Sequence, residues 1–366
     1  MRIPRRTVAL AVLAGTALAA VTGAGSAAAT PATAPTLTQL PGDYITPLQF
    51  AVSGDRVYVA DGARSALFRV GRATPIASGP APSANPEQSG DLAGVDVHRG
   101  RIAYTTTEAD HKHTFLTVLH HGHRVLQVDL GRYERRANPD GATDYGVTDT
   151  SKVTAACRKQ LAGGEQPVPI TYRGIKDSHP YAVAGLDDGS WLVADAGGND
   201  IVRVDRWGRI STVAVLPAQP VTLTKALAAE LKVKACEGLT YRFEAVPTDV
   251  EVRDGHVYVT TLPGGAGGLG SVYEVGWDGS SRQIATGFAS ATNLAVAPNG
   301  CIYVVELGRG VFTPGAGGPQ QVVALKGAAA VEWADGHLYA STAPAAASEG
   351  APGSTPPAPG HIYRIG

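Results

Sequence analysis

Six times along the chain, a short run of alternating apolar and polar residues reaches a tight turn and resumes as a second run with an apolar or aromatic centre. The copies occupy residues 50–61, 95–104, 182–195, 250–259, 294–304 and 331–340. Alternation with period two puts successive side chains on opposite faces of a strand, so each run buries one face. Four of the turns carry Asp188-Gly189, Asp254-Gly255, Asn299-Gly300 and Asp335-Gly336. These dipeptides accept the positive φ of a tight hairpin turn, so each copy is predicted to be a hairpin.

After most copies come a loop and two further strand-like runs, as at 201–213 and 272–284. Four antiparallel strands make one blade of a propeller, which cannot bury both of its faces alone. The predicted fold is therefore all-β: a six-bladed β-propeller with two short helix-containing insertions on one face. The last copy is followed by one strand only, at 361–365, and residues 36–40 are expected to supply its missing outer strand and close the ring.

Matching second-strand residues are Tyr58, Ala103, Leu192, Tyr258, Tyr303 and Tyr339, with separations of 45, 89, 66, 45 and 36. The two long gaps place insertions at about 133–178 and 217–246, each with a helix-like stretch, at 150–161 and 222–231. Both join the last strand of one blade to the first of the next, so both emerge on the same face. A seventh blade in the first gap is the alternative, although that region lacks a hairpin turn between alternating runs.

Arg2, Arg5 and Arg6 precede an apolar stretch from residue 8 to 21 and small residues ending in Ala27-Ala28-Ala29. That is the pattern of a signal peptide over 1–29, followed by a single propeller domain over 30–366. Arg5-Arg6 allows twin-arginine export, but the residues after it suit the general secretory route better. Without the leader the chain has 28 basic and 32 acidic residues, a net charge of about −4. A mildly acidic surface without a basic run argues against nucleic acid, and no later segment is apolar enough to span a membrane. The expectation is a secreted monomer whose partner is a small molecule or an extracellular protein or glycan.

Three cysteines remain after export into an oxidising space. Cys157 and Cys236 fall in the two insertions and are expected to form a disulfide. Cys301 begins the apolar run 301–305 and is expected to be a buried thiol.

The segments Asn138-Pro-Asp-Gly141, Asp177-Ser-His-Pro-Tyr-Ala-Val-Ala184, Ala194-Asp-Ala-Gly-Gly-Asn-Asp-Ile-Val-Arg-Val-Asp205, Pro247-Thr-Asp-Val-Glu-Val252 and Thr260-Thr-Leu-Pro-Gly-Gly265 together resemble the ScyD/ScyE family of exported propellers. The resemblance covers nearly the whole mature chain and implies an architecture of the NHL and gluconolactonase type. The family is named from genes beside those for scytonemin synthesis in cyanobacteria and is widespread in actinobacteria; the composition and leader of this chain look actinobacterial. It brings no established reaction or catalytic residue set. Where the family usually has Asn in the second motif, this chain has His179.

On the face where propellers usually bind ligands, the candidate residues are Gln49, His179, Asp195, Asp249, Asn293 and Glu306. Asp249, Asn293 and Glu306 offer oxygen ligands to a hard cation such as calcium, an arrangement that resembles calcium-dependent gluconolactonase-like propellers. Those enzymes place Glu in the first blade, where this chain has Gln49. The competing reading is that these groups only satisfy backbone partners at strand ends. Two positions along, Asp96, Glu251 and Glu332 fall in alternate blades and form a candidate acidic ring in the central channel, with pKa values raised by mutual repulsion or with partners in water and Arg. The histidines His111, His113, His120, His121 and His123 divide between the two ends of one strand, about 25 Å apart, and cannot share an ion. Asn138-Pro-Asp-Gly141 and Asp195-Ala-Gly-Gly-Asn-Asp200 read as turns in preference to ligand loops.

The sequence holds no Gly-x-Ser-x-Gly, His-Glu-x-x-His, phosphate loop or Cys-x-x-Cys. Three functions stay open: a secreted binding or interaction propeller, a calcium-dependent hydrolase or lactonase acting through Asp249, Asn293 and Glu306, and an accessory role in exported secondary-metabolite processing. Whether the chain is an enzyme is left undecided by its residues.

Overall fold

The computed structural model describes residues 35–83, 89–163, 168–265, 268–344 and 359–366. The expected leader at 1–29 lies outside the described residues. Each hairpin copy supplies the two inner strands of a four-stranded antiparallel sheet. Blade 1 consists of Pro47–Ser53, Arg56–Asp61, Ala66–Arg69 and Ala77–Ser78, and blade 2 of Asp91–His98, Arg101–Thr107, Thr114–His120 and His123–Asp129. Blade 3 has Pro180–Gly185, Trp191–Asp195, Asp200–Val204 and Ile210–Val215; blade 4 has Pro247–Arg253, His256–Thr261, Gly270–Val275 and Ser281–Phe288. Blade 5 has Ala291–Val296, Ile302–Glu306, Gly310–Thr313 and Gln320–Ala324, and blade 6 has Ala328–Ala334, His337–Thr342 and Ile362–Ile365. The first strands neighbour one another in cyclic order, with that of blade 6 returning to that of blade 1.

The hairpin turns behave as their residues dictate. At Asp254-Gly255 and Asp335-Gly336 all four residues have positive φ, between 51° and 81°, the conformation of a two-residue turn that matches strand twist. Apolar side chains from facing blades then interlock: Leu192, Ile201 and Ala214 of blade 3 pack with Val250, Val257 and Val259 of blade 4. Ala295, Val305 and Val311 of blade 5 pack in the same way with Val331, Leu338 and Ala340 of blade 6. Each fully buried Val, Leu or Ile contributes roughly 1.5–3 kcal/mol, so the blade interfaces hold the ring together. In blade 3, Leu192 pairs with Ala184. Val183 pairs with Val193 and packs with Ala103 and Trp191 between blades 2 and 3.

Residues 36–40 close the ring as expected. Leu37–Gln39 runs antiparallel to Ile362–Ile365, with Leu37 opposite Ile365 and Gln39 opposite Tyr363. Thr36 and Gly366 exchange backbone hydrogen bonds of 3.0 and 2.9 Å. The strand is exposed, so backbone pairing and the covering of an open edge are what it contributes.

The insertions hold more than helices. Helices α1 (Leu130–Ala137), α2 (Ala155–Gly163) and α3 (Lys225–Glu230) are present. In addition, Asp144–Val147 and Thr171–Arg173 of the first insertion join Gln219–Thr222 and Thr240–Phe243 of the second in a seventh four-stranded sheet. Val147 opposite Tyr241 makes the junction. This sheet stands outside the cyclic order of first strands, and neither insertion supplies more than two of its strands. Beneath it Cys157, Leu161, Leu223, Cys236, Tyr241 and Phe243 form a separate apolar core. Cys157 and Cys236 are disulfide-bonded, Cα atoms 4.9 Å apart and 79 residues distant in sequence. A closure of that length contributes about 4 kcal/mol in the chain-entropy picture.

Cys301 is exposed, against expectation. The strand begins one residue later, at Ile302, and the Cys301 amide donates to Asn299 Oδ1 at 3.0 Å within the turn. Among the described residues no helix is long and apolar enough to cross a membrane.

Candidate functional site

Acids at the ends of second strands fasten the loops that lead into the blades. Asp61 accepts the amides of Ile45 and Thr46 at 2.8 and 3.0 Å. Glu306 accepts the Ala289 amide at 2.8 Å and pairs with Arg309. Asp195 accepts the amides of His179, Gly197 and Gly198 at 2.6, 3.1 and 3.1 Å, together with the Ser178 hydroxyl at 2.6 Å. Backbone donors that would otherwise be orphaned at the loop ends are thus satisfied, and these carboxylates are committed to the fold.

Gln49, Asp249 and Asn293 are brought together across the channel. Asn293 Nδ2 donates to Gln49 Oε1 at 3.0 Å, and Gln49 Nε2 donates to the Thr248 carbonyl at 3.3 Å and hydrogen-bonds to Asp249. Asp249 Oδ2 accepts the Leu294 amide at 2.8 Å, and Asn293 Oδ1 accepts the Val331 amide at 2.6 Å. Blades 1 and 4 are opposite one another in the cycle, so the network plugs the channel and ties blades 1, 4, 5 and 6. Burial pushes the Asp249 carboxyl up, the Leu294, Val250 and Gln49 donors pull it back, and it titrates at about 8.

The expected metal set of Asp249, Asn293 and Glu306 does not fit a calcium ion in this arrangement. Asp249 Oδ2 and Asn293 Oδ1 are turned to the Leu294 and Val331 amides, and Glu306 is held by Ala289 and Arg309. Gln49 contributes an amide donor where the gluconolactonase-like pattern has a carboxylate, and that donor fills the space with hydrogen bonds.

One layer deeper, Asp96, Glu251 and Glu332 line the channel from blades 2, 4 and 6, each half-buried. Burial raises all three pKa values. Mutual repulsion adds to this for Glu251, which faces Glu332, Asp249 and Asp96, and for Glu332, which faces Asp96 and Asp249. Arg253 acts against the rise in both. Asp96 also accepts the amides of Gly185 and Val97 at 2.7 and 2.6 Å, which bends it toward blade 3.

A second polar centre lies where α1 meets blade 3. The Asp129 carboxylate caps the start of α1 through the Arg132 amide at 2.6 Å, and Asn138 ends it with φ 43°. Residues 138–141 thereby turn back toward residues 177–184 and 195–200, so three segments that read as separate turns converge. Their acids are Asp140, Asp177, Asp195 and Asp200, joined by Glu134 from α1, and all five are buried. Asp140 Oδ2 accepts the Tyr145 hydroxyl at 3.0 Å and Asn199 Nδ2 at 3.1 Å. Asp177 pairs with His111 Nδ1 at 2.9 Å, and His179 Nε2 pairs with Asp91 at 2.9 Å. The His111 and His179 rings lie 5.1 Å apart.

Burial opposes a charge on His179, but Asp91, Asp177 and Asp195 outweigh it and raise its pKa to about 9. Burial followed by repulsion from Asp195, Asp140 and Asp177 takes Glu134 to about 9. Asp140 is raised to about 6, chiefly by burial, and Asp200 is raised by burial and then by Asp195, Glu134 and Asp140. Of this chamber the ligand-face candidates include His179 and Asp195, while Asp140 and Asp200 stand in the two segments that read as turns. The signal for the rest was the density of Asp in the turn motifs, which are turns and also neighbours.

His120, His121 and His123 stay at the far turn of the same strand, the His120 and His121 rings 4.0 Å apart. Among the described residues no three His, Cys, Asp or Glu side chains already converge as a ready metal sphere. A groove of about 480 Å³ between Asp55, Arg56, Tyr58, Ile102 and His121 lies at the hairpin tips of blades 1 and 2, apart from both polar centres.

No protein family and no curated protein matches the sequence. Among solved structures the chain is similar to a gluconolactonase from Xanthomonas campestris, at 13% identity and TM-score 0.50, over 94% of this chain and 98% of that one. It is similar to the PQQ-bound aldose sugar dehydrogenase of Streptomyces coelicolor at 14% identity and TM-score 0.50, over 92% and 99%. At such identities the likeness speaks to the fold alone, and that fold is the β-propeller.

Proposed function

We propose that the chain is a secreted, monomeric binding propeller of the ScyD/ScyE type, acting on a small molecule or an extracellular protein or glycan without catalysing its conversion. The observation that carries this reading is the plug of Gln49, Asp249 and Asn293, whose polar atoms are spent on one another and on backbone amides at the place where a hydrolase would keep a reactive centre. The leader pattern and the Cys157–Cys236 disulfide support export. The insertion-bearing face is the proposed binding surface, because the long loops gather there.

One observation favours a second reading. A buried carboxyl titrating at about 8 suits a general base, and Asp249 would take that role in a hydrolase or lactonase. Purified mature protein incubated with a panel of lactones and esters, with and without calcium, separates the two. Binding without turnover is expected; turnover abolished in Asp249→Asn would overturn the binding reading.

A further inference from the structure

We propose that Glu134, Asp140 and Asp200, with the side-chain carbonyl of Asn138, form a calcium site that fastens the first insertion to blade 3. Glu134 Oε1, Asp140 Oδ1, Asp200 Oδ2 and Asn138 Oδ1 are buried and accept no hydrogen bond. The three acids are themselves at most 3% exposed. Buried carboxylate oxygens without partners are costly, and a fold that gathers several of them has a cation as their natural counterpart. The contrast with Asp195 is direct, since that neighbour receives four hydrogen bonds.

Glycine makes the room. A Cβ on Gly198 would stand 3.1 Å from Asp200 Oδ1 and 3.4 Å from Glu134 Oε2, the second oxygens of the same two acids, so any other residue there would crowd both carboxylates. At Gly174 a Cβ would collide with Asp140 Oδ1. Asp140 is aimed by its second oxygen, which Tyr145 and Asn199 hold. The exposed Lys176 is the cation that acts on Glu134, and it leaves that acid's pKa raised.

The donors are all oxygens, carboxylate and amide, which selects a hard cation over zinc or copper. Calcium tolerates irregular geometry and takes six to eight ligands, so water completes the shell and modest side-chain rotations close it. Extracellular calcium suffices for a site of about 10⁻⁴–10⁻³ M affinity. The ion would bridge α1, the turn after it and the third strand of blade 3. That link shares no residue with the disulfide, and it holds whether or not the face binds a further ligand.

The test uses the mature chain, stripped with EDTA and titrated with calcium chloride by calorimetry and thermal unfolding. One calcium per chain and a rise in Tm are expected, with Glu134→Gln weakening binding by roughly 100-fold, at or beyond what losing an outer-shell partner costs. Glu134→Gln keeps the side-chain shape and one carbonyl oxygen while removing the carboxylate, so it should fold without metal; Asp140→Asn serves as the second variant. An unmoved Tm with no calcium bound overturns the proposal. So does calcium binding that survives Glu134→Gln and Asp140→Asn, or that is lost only in Asp249→Asn, which would place the ion in the channel.

Discussion

The channel plug and the chamber beside α1 are built from the same kinds of residue and buried to the same degree, yet they close differently. In the plug, Gln49 and Asn293 carry donors as well as acceptors, so the network satisfies itself and spans four blades. In the chamber, Glu134, Asp140 and Asp200 bring acceptors only, and three of their oxygens find nothing to accept. Buried polarity is therefore not one signal. An amide among acids makes a structural knot, whereas acids facing acids leave a charge that something else must balance.

The largest effect should come from what both centres depend on, the closed ring. Deleting residues 36–40 strips the outer strand from blade 6 and exposes Ile362–Ile365 as an open edge; loss of cooperative unfolding and aggregation are expected, read by thermal denaturation and light scattering. If the truncated chain unfolds like the parent, closure does not support either centre. Next, replacing Cys157 and Cys236 with Ser should cost about 4 kcal/mol in denaturant titration and loosen the apolar core that the two insertions share, without touching the plug.

Asn293→Leu should cost about 3 kcal/mol, because it orphans Gln49 Oε1 and the Val331 amide together. A near-neutral result would show that the plug is not the knot described. A pH titration separates the centres most sharply. A carboxyl whose folded pKa is about 9 against an ordinary 4.5 binds its proton more tightly when folded, so stability falls as pH rises from about 4.5 to 9. In EDTA, Tm should decline across that window in the parent and decline less in Glu134→Gln; added calcium should flatten the parent. Equal slopes in parent and variant would remove Glu134 as the source.

Much of the fold was legible because it repeats. Asp254-Gly255 and Asp335-Gly336 dictate their turns locally, and six similar hairpins have one economical way to bury their faces. The seventh sheet was not legible: its strands are three or four residues long, and Val147 meets Tyr241 from a different insertion. Cys301 was misread for a related reason, since apolar neighbours mark a strand but do not say which residue begins it.

The candidate residues divide along the same line. Gln49, Asp249 and Asn293 stood out because a repeat lends them equivalent positions, but only the assembled ring revealed that they hydrogen-bond across the channel. Glu134, Asp140 and Asp200 lie in a helix, a turn and a strand without any shared spacing. By itself the sequence determined the hairpins, the repeat, the closing strand and the cysteine pair, all of which follow from local φ preferences, alternation and the counting of copies. The tertiary structure alone decided which buried oxygens are satisfied and which are not, because that depends on distances between segments that no local rule relates.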